Sequence, residues 1–498
     1  MTIPKPADVF GRTHEWDELA RFCTEQASGL RIGVVRGRRR HGKSFLLEHL
    51  CRSVDGVYTL ALQQSRAMAL DRFSESLARG TGVRTGRFTS WVEAMDAAAD
   101  VLTSRRDTQT AVPLLVLDEF PYLVAHSPEL PSVLQALYDQ RGPSSGKPPL
   151  RIILCGSAIS TMSTLLAGDQ ALRGRAVIDM RIGPFGFRDA AEYWGTADPE
   201  TAFLVDAVLG GAPGYRDVVG NAPDPGDEGF YTWLSRSVFN PSHILFTEPE
   251  YLLAEDPRIS DRATCHAIWE AVASGAATPT QIGGLVGMDA KSLTYHLNIM
   301  KAAAFIRYDQ DLLLQRKPVI TVADPIVRFH DLIVRPNLVD FEMREGRAAW
   351  ERSRETFSSK VLGPHFEDLA RQWTLRYGRE RGLDDIGQVG TATVACREHR
   401  GHEIDVVALS RASRPRDKSA RITLLGEAKA TNKPRTVADL RRLEHIRDLL
   451  CTQGWDAGGA VLAVYARKGA APDLVDAAGA GRGLLVDMGE LYGAGPGE

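Results

Sequence analysis

The most constraining feature of this chain is a glycine-rich stretch that follows a short apolar run. Residues 32–35 are apolar, residues 37–44 read G-x-x-x-x-G-K-S, and a helix-forming run follows. A loop of this kind between a strand and a helix directs backbone N–H groups at an anion. In this pattern Lys43 neutralises the β- and γ-phosphates, and Ser44 binds Mg²⁺. The predicted nucleotide-binding residues here are Gly37, His41, Gly42, Lys43, Ser44 and Phe45.

A second apolar run ends in an acidic pair, Asp118 and Glu119. The run at residues 114–117 is typical of a strand buried on both faces of a parallel sheet. Ligands of open α/β sheets bind at the carboxyl ends of the strands, where this pair falls. We expect Asp118 to hold Mg²⁺ through water and Glu119 to polarise the attacking water. The alternative is that the pair only caps a helix or forms a turn.

Other apolar runs predict the remaining strands of the same sheet. They lie at residues 57–62, 151–157 and 176–181, the first of them between the glycine-rich loop and the acidic pair. This order, with glutamate beside aspartate, resembles the additional-strand P-loop ATPases, which include the AAA+ proteins. The resemblance implies a polar sensor of the γ-phosphate at the tip of the next strand. Ser157 has that place, and a simple turn serine is the alternative.

Three further segments carry a narrower resemblance. Residues 10–12 read F-G-R, residues 172–175 read L-R-G-R, and residues 210–215 read G-G-A-P-G-Y. This series resembles the prokaryotic "archaeal ATPase" family, a branch near the STAND signalling ATPases. The resemblance implies an α/β ATPase that binds ATP and Mg²⁺ and forms a homo-oligomer.

The same resemblance assigns roles to single residues. Gly11 and Arg12 would pack beside adenine, and Pro213 would contact the nucleotide from a helical lid. Arg175 would act as an arginine finger, within its own chain or on a neighbouring subunit. The alternatives are a helix end followed by a turn for Pro213 and a surface ion pair for Arg175. The arginines at residues 38–40 either hold phosphate or face solvent or nucleic acid.

The middle of the chain has the spacing of a helix-turn-helix. Apolar residues recur at helical spacing from Cys265, a second helix begins at Thr278, and Asp289 caps a third. The segments F-I-R at residues 305–307 and L-L-L at residues 312–314 flank the polar residues 309–311, which predicts a hairpin wing. The segment resembles the winged-helix domain that follows the ATPase in this family. DNA contacts would come from Lys291, Ser292, Tyr295, His296 and Asn298. The alternative is a winged helix used only for packing or oligomer contacts, because the third helix has few cations.

The C-terminal part contains a third group of charged residues. Asp405 lies within one predicted strand, and Glu427 and Lys429 share a face of the next. This pattern resembles the PD-(D/E)XK signature of restriction-endonuclease-like folds. The resemblance implies that Asp405 and Glu427 bind Mg²⁺ or Mn²⁺ and that Lys429 stabilises charge on phosphate. Glu367, on the preceding helix, would complete the site, and Glu403 shares the face of Asp405. The alternatives are a structural α/β domain and an inactive binding module.

Composition narrows the remaining possibilities. A chain of 498 residues needs more than one core. The net charge of −3 gives no global attraction to nucleic acid or membrane. Six cysteines without a C-x-x-C pair suggest neither a zinc site nor a disulfide framework. No signal peptide or long apolar run is present, so we expect no membrane contact and a cytoplasmic location.

Together these patterns predict a multidomain α/β protein. Its predicted segments are a P-loop ATPase core (residues 1–185), a helical lid (186–260), a winged helix (261–330) and a nuclease-like domain (331–498). We expect ATP binding and hydrolysis with Mg²⁺, and a metal-dependent DNA nuclease gated by the nucleotide, in defence against foreign DNA or in DNA processing. The alternatives are a nucleotide-operated regulator with a non-cleaving DNA-binding domain and an ATP-driven DNA remodeller.

Overall fold

A computed structural model describes residues 3–104, 111–168, 170–315, 317–396 and 401–494. The chain divides into two compact units. The first comprises Met1–Phe185, Ala212–Val218 and Tyr251–Ser260. The second comprises Gly186–Gly211, Val219–Glu250 and Asp261–Glu498. The segment expected to form a lid is thus divided between the units, and the four predicted domain ranges stay predictions.

The strands form one sheet in each unit and a separate hairpin. In chain order they are β1 (Leu30–Arg36), β2 (Val57–Leu60), β3 (Leu114–Asp118), β4 (Leu150–Gly156), β5 (Ala176–Arg181), β6 (Ile306–Asp309), β7 (Val319–Val322), β8 (Val389–Val394), β9 (His402–Leu409), β10 (Ile422–Lys429), β11 (Val461–Ala466) and β12 (Leu484–Asp487). The strand expected over residues 57–62 therefore ends at Leu60.

Helices cover the sheets and connect them. Those before residue 186 are α1 (Thr13–Thr24), α2 (Lys43–Ser53), α3 (Arg66–Thr81), α4 (Trp91–Ser104), α5 (Phe120–His126), α6 (Leu130–Arg141) and α7 (Ile159–Thr164). Those that follow, up to the hairpin, are α8 (Phe187–Trp194), α9 (Pro199–Leu209), α10 (Arg216–Val219), α11 (Asp227–Arg236), α12 (Glu248–Ala254), α13 (Arg262–Ser274), α14 (Pro279–Val286) and α15 (Ala290–Ala302). The last are α16 (Pro325–Phe329), α17 (Leu338–Glu342), α18 (Gly346–Thr356), α19 (Gly363–Arg376), α20 (Val437–Thr452), α21 (Pro472–Gly479) and α22 (Met488–Leu491). Across the described ranges no helix is long and apolar enough to cross a bilayer.

The sheet of the first unit is parallel, with the strand order β2-β3-β4-β1-β5. Strand β4 lies between β1, which leads into the glycine-rich loop, and β3, which ends in the acidic pair. Because the strands are parallel, the residues after β1, β3 and β4 reach the same edge of the sheet. The structure thus confirms the predicted parallel α/β sheet.

Both faces of this sheet are covered by apolar side chains. Along β3, Leu115 and Leu117 belong to one core cluster, and Leu114 and Val116 belong to another. Side chains alternate across a strand, so the two clusters lie on opposite faces. This two-sided burial explains why the strands appear in the sequence as continuous apolar runs rather than as alternating patterns.

The sheet of the second unit is mixed, with the order β12-β11-β10-β9-β8. Strands β8, β9 and β10 pair antiparallel, and β10, β11 and β12 pair parallel. In the hairpin of β9 and β10, Gly426 pairs with Val406. The next residues along this pair are Glu427 and Asp405, so the register brings their backbones together.

The helix-turn-helix spacing is present in the second unit, but the predicted wing is wrong in one strand. Asp289 caps α15 by accepting bonds from the backbone of Lys291 and Ser292. Strand β6 pairs with β7, and not with residues 312–314 as expected. Leu312 instead donates its N–H to the Thr391 carbonyl at 3.0 Å, and its side chain joins the core around β8–β12. Burial of apolar side chains in that core outweighs the local hairpin pattern.

Candidate functional site

The glycine-rich loop is packed tightly on two sides. A Cβ atom at Gly37 would lie closer than 3.0 Å to the carbonyl oxygen of Ile182. Gly42 has φ +84° at the start of α2, and a Cβ atom there would lie 3.6 Å from the Pro213 ring. Gly37 thus lets the backbone pass close to Ile182, and Gly42 lets it adopt a positive φ. Pro213, expected near the nucleotide, does lie against the loop.

The Lys43 side chain is turned into the loop. It is only 4% exposed, and its Nζ donates to the Arg38 carbonyl at 3.0 Å. Ser44 follows in the first turn of α2 and is partly buried. The N-terminus of a helix carries a partial positive charge. An ammonium group, a helix N-terminus and a hydroxyl are therefore adjacent, as a phosphate and its cation require.

Asp118 is held rigidly at the end of β3. It is fully buried, accepts a hydrogen bond from the Tyr58 hydroxyl, and accepts another from the Glu119 N–H at 2.8 Å. Burial, reinforced by the Asp118 carboxylate, raises the pKa of Tyr58. Tyr58 therefore remains a neutral donor to Asp118. Sequence reasoning missed this residue, because only the β2–β3 pairing brings it to the acidic pair.

Glu119 and Ser157 lie together at the ends of the neighbouring strands β3 and β4. The Ser157 hydroxyl donates to Glu119 Oε2 at 3.1 Å, and the Ser157 N–H donates at 3.4 Å. Glu119 has a left-handed backbone, with φ 51° and ψ 42°. Such backbone conformations cost energy and are typical of functional sites. Burial and the Asp118 charge raise the pKa of Glu119, against the opposing effect of Lys43.

Arg12 joins the N-terminal segment to the loop. Its Nη2 donates to the carbonyls of Gly183 at 2.6 Å and His41 at 3.1 Å. Its guanidinium lies 4.5 Å from the centre of the Phe185 ring. The neighbouring Gly11 has φ +56°, and a Cβ atom there would lie 3.3 Å from the same ring. The two residues expected beside adenine therefore lie next to the glycine-rich loop.

The remaining loop residues differ in their surroundings. His41 Nδ1 lies 3.1 Å from the Ile182 carbonyl. Burial and the cations Arg38 and Lys43 hold the pKa of His41 well below its usual range, so its imidazole is neutral. Phe45 is 48% exposed, and its ring packs on His49.

The arginines at residues 38–40 have three different environments. Arg38 is 9% exposed. Arg39 pairs with Glu255 at 3.3 Å, and the Arg40 guanidinium lies 5.1 Å from the Tyr215 ring centre. Arg39 and Arg40 thus connect the glycine-rich loop to the two later segments of the first unit, Tyr251–Ser260 and Ala212–Val218. This intramolecular role is one that the sequence did not predict.

Arg175 forms an ion pair within its own chain. Its Nε and Nη2 donate to the two carboxylate oxygens of Asp139 at 3.0 and 3.2 Å, and its Nη1 donates to the Ala171 carbonyl. The pair is partly exposed. This arrangement is the alternative that the sequence left open for Arg175, and its role as an arginine finger stays a prediction.

Replacing Gly37 by alanine is expected to lower the free energy of unfolding by about 1–3 kcal/mol, because the new methyl group overlaps the Ile182 carbonyl. Chemical denaturation measures the change. Gly183→Ala is the matched control, since a Cβ atom there meets no described atom within 4 Å. That control should change stability by no more than about 0.5 kcal/mol. Equal stability of the two variants would contradict the packing argument.

A second group of charged side chains lies in the second unit. Asp405 Oδ2 accepts bonds from Lys429 Nζ at 2.8 Å and from the Ala428 N–H at 2.9 Å. Lys429 Nζ also lies 3.3 Å from Glu427 Oε1. Asp405 and Glu427 are both buried, at 8% and 4% exposure. The strand residues expected to act together are therefore in direct contact.

Glu367 on α19 faces the same cluster. Burial and the Asp405 charge raise the pKa of Glu367 to about 7, against the opposing effects of Arg371 and Lys429. Burial and Asp405 also raise the pKa of Glu427. Burial acts to lower the pKa of Lys429, but the carboxylates outweigh it and raise that pKa. Repelling carboxylates held together in this way favour a cation.

Cations that the sequence did not reveal surround the cluster. Arg442 on α20 pairs with Glu427 and donates to the Glu403 carbonyl at 2.8 Å. Arg371 pairs with Asp368 and donates to the Asp405 carbonyl at 2.8 Å. The sequence could have indicated Arg371, because it lies four residues after Glu367 on the same helix and therefore faces the same side. No sequence pattern pointed to Arg442, which reaches Glu427 only through the packing of α20 on β10.

A divalent metal ion at this cluster would bind more tightly as the pH rises. A carboxyl whose pKa is about 7 must lose its proton before it binds a metal, so Mn²⁺ affinity should increase between about pH 6 and pH 8. Without metal, Glu367 has a pKa of about 7 in the folded protein and about 4.5 in the unfolded chain. The free energy of unfolding therefore falls as the pH rises from about 4.5 to about 7. Calorimetric titration of Mn²⁺ measures the trend. Glu367→Gln should flatten it, and the exposed control Glu351→Gln should not; an unchanged slope in Glu367→Gln would contradict the assignment.

The residues expected to contact DNA lie on α15. Lys291, Ser292, Tyr295 and Asn298 are exposed, with Tyr295 at 60%. His296 is partly buried and lies 3.6 Å from Asp261. Lys291 and Ser292 also take part in the Asp289 cap. The exposed side chains of α15 are therefore mostly polar and include two lysines, Lys291 and Lys301. The role of α15 in DNA binding stays a prediction.

Comparison with known proteins identifies the fold. No family model matches the sequence. An uncharacterized protein of Methanocaldococcus jannaschii, MJECL04, is 24% identical over 382 residues, which is 76% of this chain and 79% of that protein. The Walker-type ATPase PABY2304 of Pyrococcus abyssi has 17% sequence identity and a TM-score of 0.50, covering 66% of this chain and 98% of its own. The Aeropyrum pernix ORC2 protein, solved as ADPNP-ADP complexes, has 13% identity and a TM-score of 0.47, covering 69% and 97%.

At these identities the similarity to the P. abyssi protein concerns the fold alone. Together with the parallel sheet and the glycine-rich loop after β1, it shows that this chain contains an α/β fold of the P-loop ATPase type. The winged-helix and nuclease-like assignments stay predictions, as do the oligomeric state and the cellular location.

Proposed function

We propose that the first unit binds ATP with Mg²⁺ and hydrolyses it. The observation that carries this proposal is the meeting of Lys43, Asp118, Glu119 and Ser157 at one edge of the parallel sheet. The fit to a phosphate is supported by the Gly37 path, which leaves no space for a side chain. Phosphoryl transfer needs mainly positioning and charge stabilisation, and these groups can supply both.

Each group has a distinct part in the proposed reaction. Lys43 would exchange its bond to the Arg38 carbonyl for a phosphate oxygen. Ser44 and Asp118 would hold Mg²⁺, with Tyr58 keeping Asp118 in place. Glu119 would accept a proton from the attacking water, and its raised pKa makes it a better base than an ordinary carboxylate at neutral pH. Ser157 would orient Glu119 and respond to the γ-phosphate.

Glu119→Gln tests this proposal by separating binding from hydrolysis. We expect the variant to bind a fluorescent ATP analogue as the wild type does and to release phosphate about 10²- to 10⁴-fold more slowly, because only the general base is lost. Glu18→Gln is the matched control, because Glu18 is partly exposed on α1 and pairs with Arg21. Phosphate release at the wild-type rate by Glu119→Gln would exclude the assigned base.

A second function is favoured by the acidic cluster of the second unit. We propose that Glu367, Asp405 and Glu427 hold Mg²⁺ or Mn²⁺ and that the site cleaves a phosphodiester bond of DNA. The support is the contact of Lys429 with both Asp405 and Glu427, and the raised pKa values of Glu367 and Glu427. Carboxylate oxygens suit these hard cations, and a bound cation would relieve the repulsion. Lys429 would then stabilise the charge that develops on phosphate.

Labelled single- and double-stranded DNA, incubated with Mg²⁺ or Mn²⁺, tests the second function. Reactions with and without ATP show whether the nucleotide gates cleavage. Metal-dependent cleavage supports a nuclease. ATP turnover that DNA stimulates, without cleavage, would instead indicate a DNA remodeller. Slow, stoichiometric ATP binding without cleavage would indicate a nucleotide-operated regulator.

A further inference from the structure

A cluster of thiol and imidazole groups lies outside both sites. The ligand atoms of Cys396, His402 and His445 all lie within 4.8 Å of one another. Cys396 follows the end of β8, His402 begins β9, and His445 lies within α20. None of the three takes part in the functions proposed above. Cysteine and histidine are the side chains that zinc prefers in proteins.

The backbone around the cluster sets the first two side chains close together. Val394, the last residue of β8, pairs with His402 across the sheet. Gly401, directly before His402, has φ +130°, a conformation that side-chain-bearing residues rarely adopt. Because Val394 pairs with His402, Cys396, two residues beyond Val394, lies at the same end of the sheet as His402.

Two hydrogen bonds dock α20 on either side of His445. Arg442 Nη2 donates to the Glu403 carbonyl at 2.8 Å, and Gln453 Nε2 donates to the Ala395 carbonyl at 2.8 Å. The imidazole rings of His402 and His445 consequently lie 5.4 Å apart, at an angle of 76°. The position of the third side chain is therefore set by bonds that do not depend on a ligand.

We propose that Cys396, His402 and His445 form a zinc site of the second unit. Zinc bonds of about 2.0–2.3 Å in a tetrahedron place ligand atoms about 3.3–3.8 Å apart, so small side-chain rotations bring this cluster to coordination distance. One thiolate and two imidazoles leave the fourth position to water. Sulfur and nitrogen donors do not suit Mg²⁺, because that ion prefers oxygen ligands. The inference is independent of the proposed nuclease.

Cobalt substitution in the full chain tests the site, because a thiolate bound to Co²⁺ gives a sulfur-to-metal charge-transfer band. The chain is stripped with chelator and titrated with Co²⁺ in excess Mg²⁺, and then Zn²⁺ is added. We expect a band that saturates at one Co²⁺ per chain and that Zn²⁺ abolishes. Cys396→Ser should lose the band. His445→Ala, at an exposed position, should weaken binding by at least about 100-fold, the upper cost of losing a group that merely orients a ligand.

Two control variants locate the effect. Cys451→Ser removes an exposed thiol at the end of the same helix and should keep the band. Asp405→Asn alters the acidic cluster and should also keep it, so failure of the nuclease proposal would leave this result unchanged. Wild-type protein without the band, or Cys396→Ser with the wild-type band and affinity, would overturn the zinc site. Circular dichroism of each variant establishes that it is folded.

Discussion

Replacing Lys43 by alanine is expected to weaken nucleotide binding and to slow ATP hydrolysis. The ammonium is the cation that the loop directs inward, and it also opposes the repulsion between Asp118 and Glu119. Loss of one preorganised charge at a transferring phosphoryl group costs about 10²- to 10³-fold in rate. The pKa of Glu119 should rise further, because Lys43 lowers it in the wild type. Binding of a fluorescent ATP analogue measures the change in nucleotide affinity, and phosphate release measures the change in hydrolysis rate.

Arg52→Ala is the matched control for Lys43→Ala. Arg52 is a cation in the last turn of the same helix, its side chain is 71% exposed, and it pairs with Glu48. We expect wild-type binding and turnover from this variant, since exposed ion pairs contribute little. If Lys43→Ala binds the analogue with wild-type affinity, the nucleotide lies elsewhere and the proposed function of the first unit is wrong.

Replacing Asp405 by asparagine is expected to abolish metal-dependent cleavage of DNA. Asp405 contacts Lys429 directly, and its charge acts on Glu367 and Glu427, so it lies at the centre of the cluster. A metal ion supplies several kcal/mol of charge stabilisation, so its loss should slow cleavage by about 10³-fold or more. Calorimetry should show a parallel loss of Mn²⁺ binding. Gel analysis of labelled DNA gives the cleavage rates.

The same variant is expected to fold as the wild type does. Asparagine can still accept the Ala428 N–H bond, and the lost attraction to Lys429 is offset by lost repulsion from Glu367 and Glu427. Asp448→Asn, on the exposed face of α20, is the matched control and should cleave normally. Equal cleavage by Asp405→Asn and the wild type would assign the activity to another site or to a contaminant.

Local sequence patterns predicted the strands and loops of both sites, because each pattern depends on how a short segment is buried. The apolar runs of β1, β3 and β4 indicated strands covered on both faces, and the loop after β1 indicated an anion site. The E-x-K spacing placed Glu427 and Lys429 on one face of β10, where they contact each other and Lys429 also contacts Asp405. Periodicity and motif spacing carry such information, since they depend on residues adjacent in sequence.

The wing illustrates the limit of local patterns. Leu312 and Leu313 had the composition of a strand beside a turn, but they are buried in the core of the C-terminal sheet. A one-dimensional pattern indicates that such residues are to be buried, but not which core will bury them. The division of residues 186–260 between two units has the same cause, because long-range contacts decide it.

The sequence by itself determined the glycine-rich loop, the acidic pair after β3 and the ordered set of Glu367, Asp405, Glu427 and Lys429. Only the tertiary structure decided which distant groups complete these sites. Tyr58 reaches Asp118 through strand pairing, and Arg442 reaches Glu427 through the packing of a helix on a sheet. The Cys396, His402 and His445 cluster likewise has no spacing motif, because its third member comes from a helix that packs beside the other two. Contacts between residues distant in sequence arise from burial and register, which no short motif encodes.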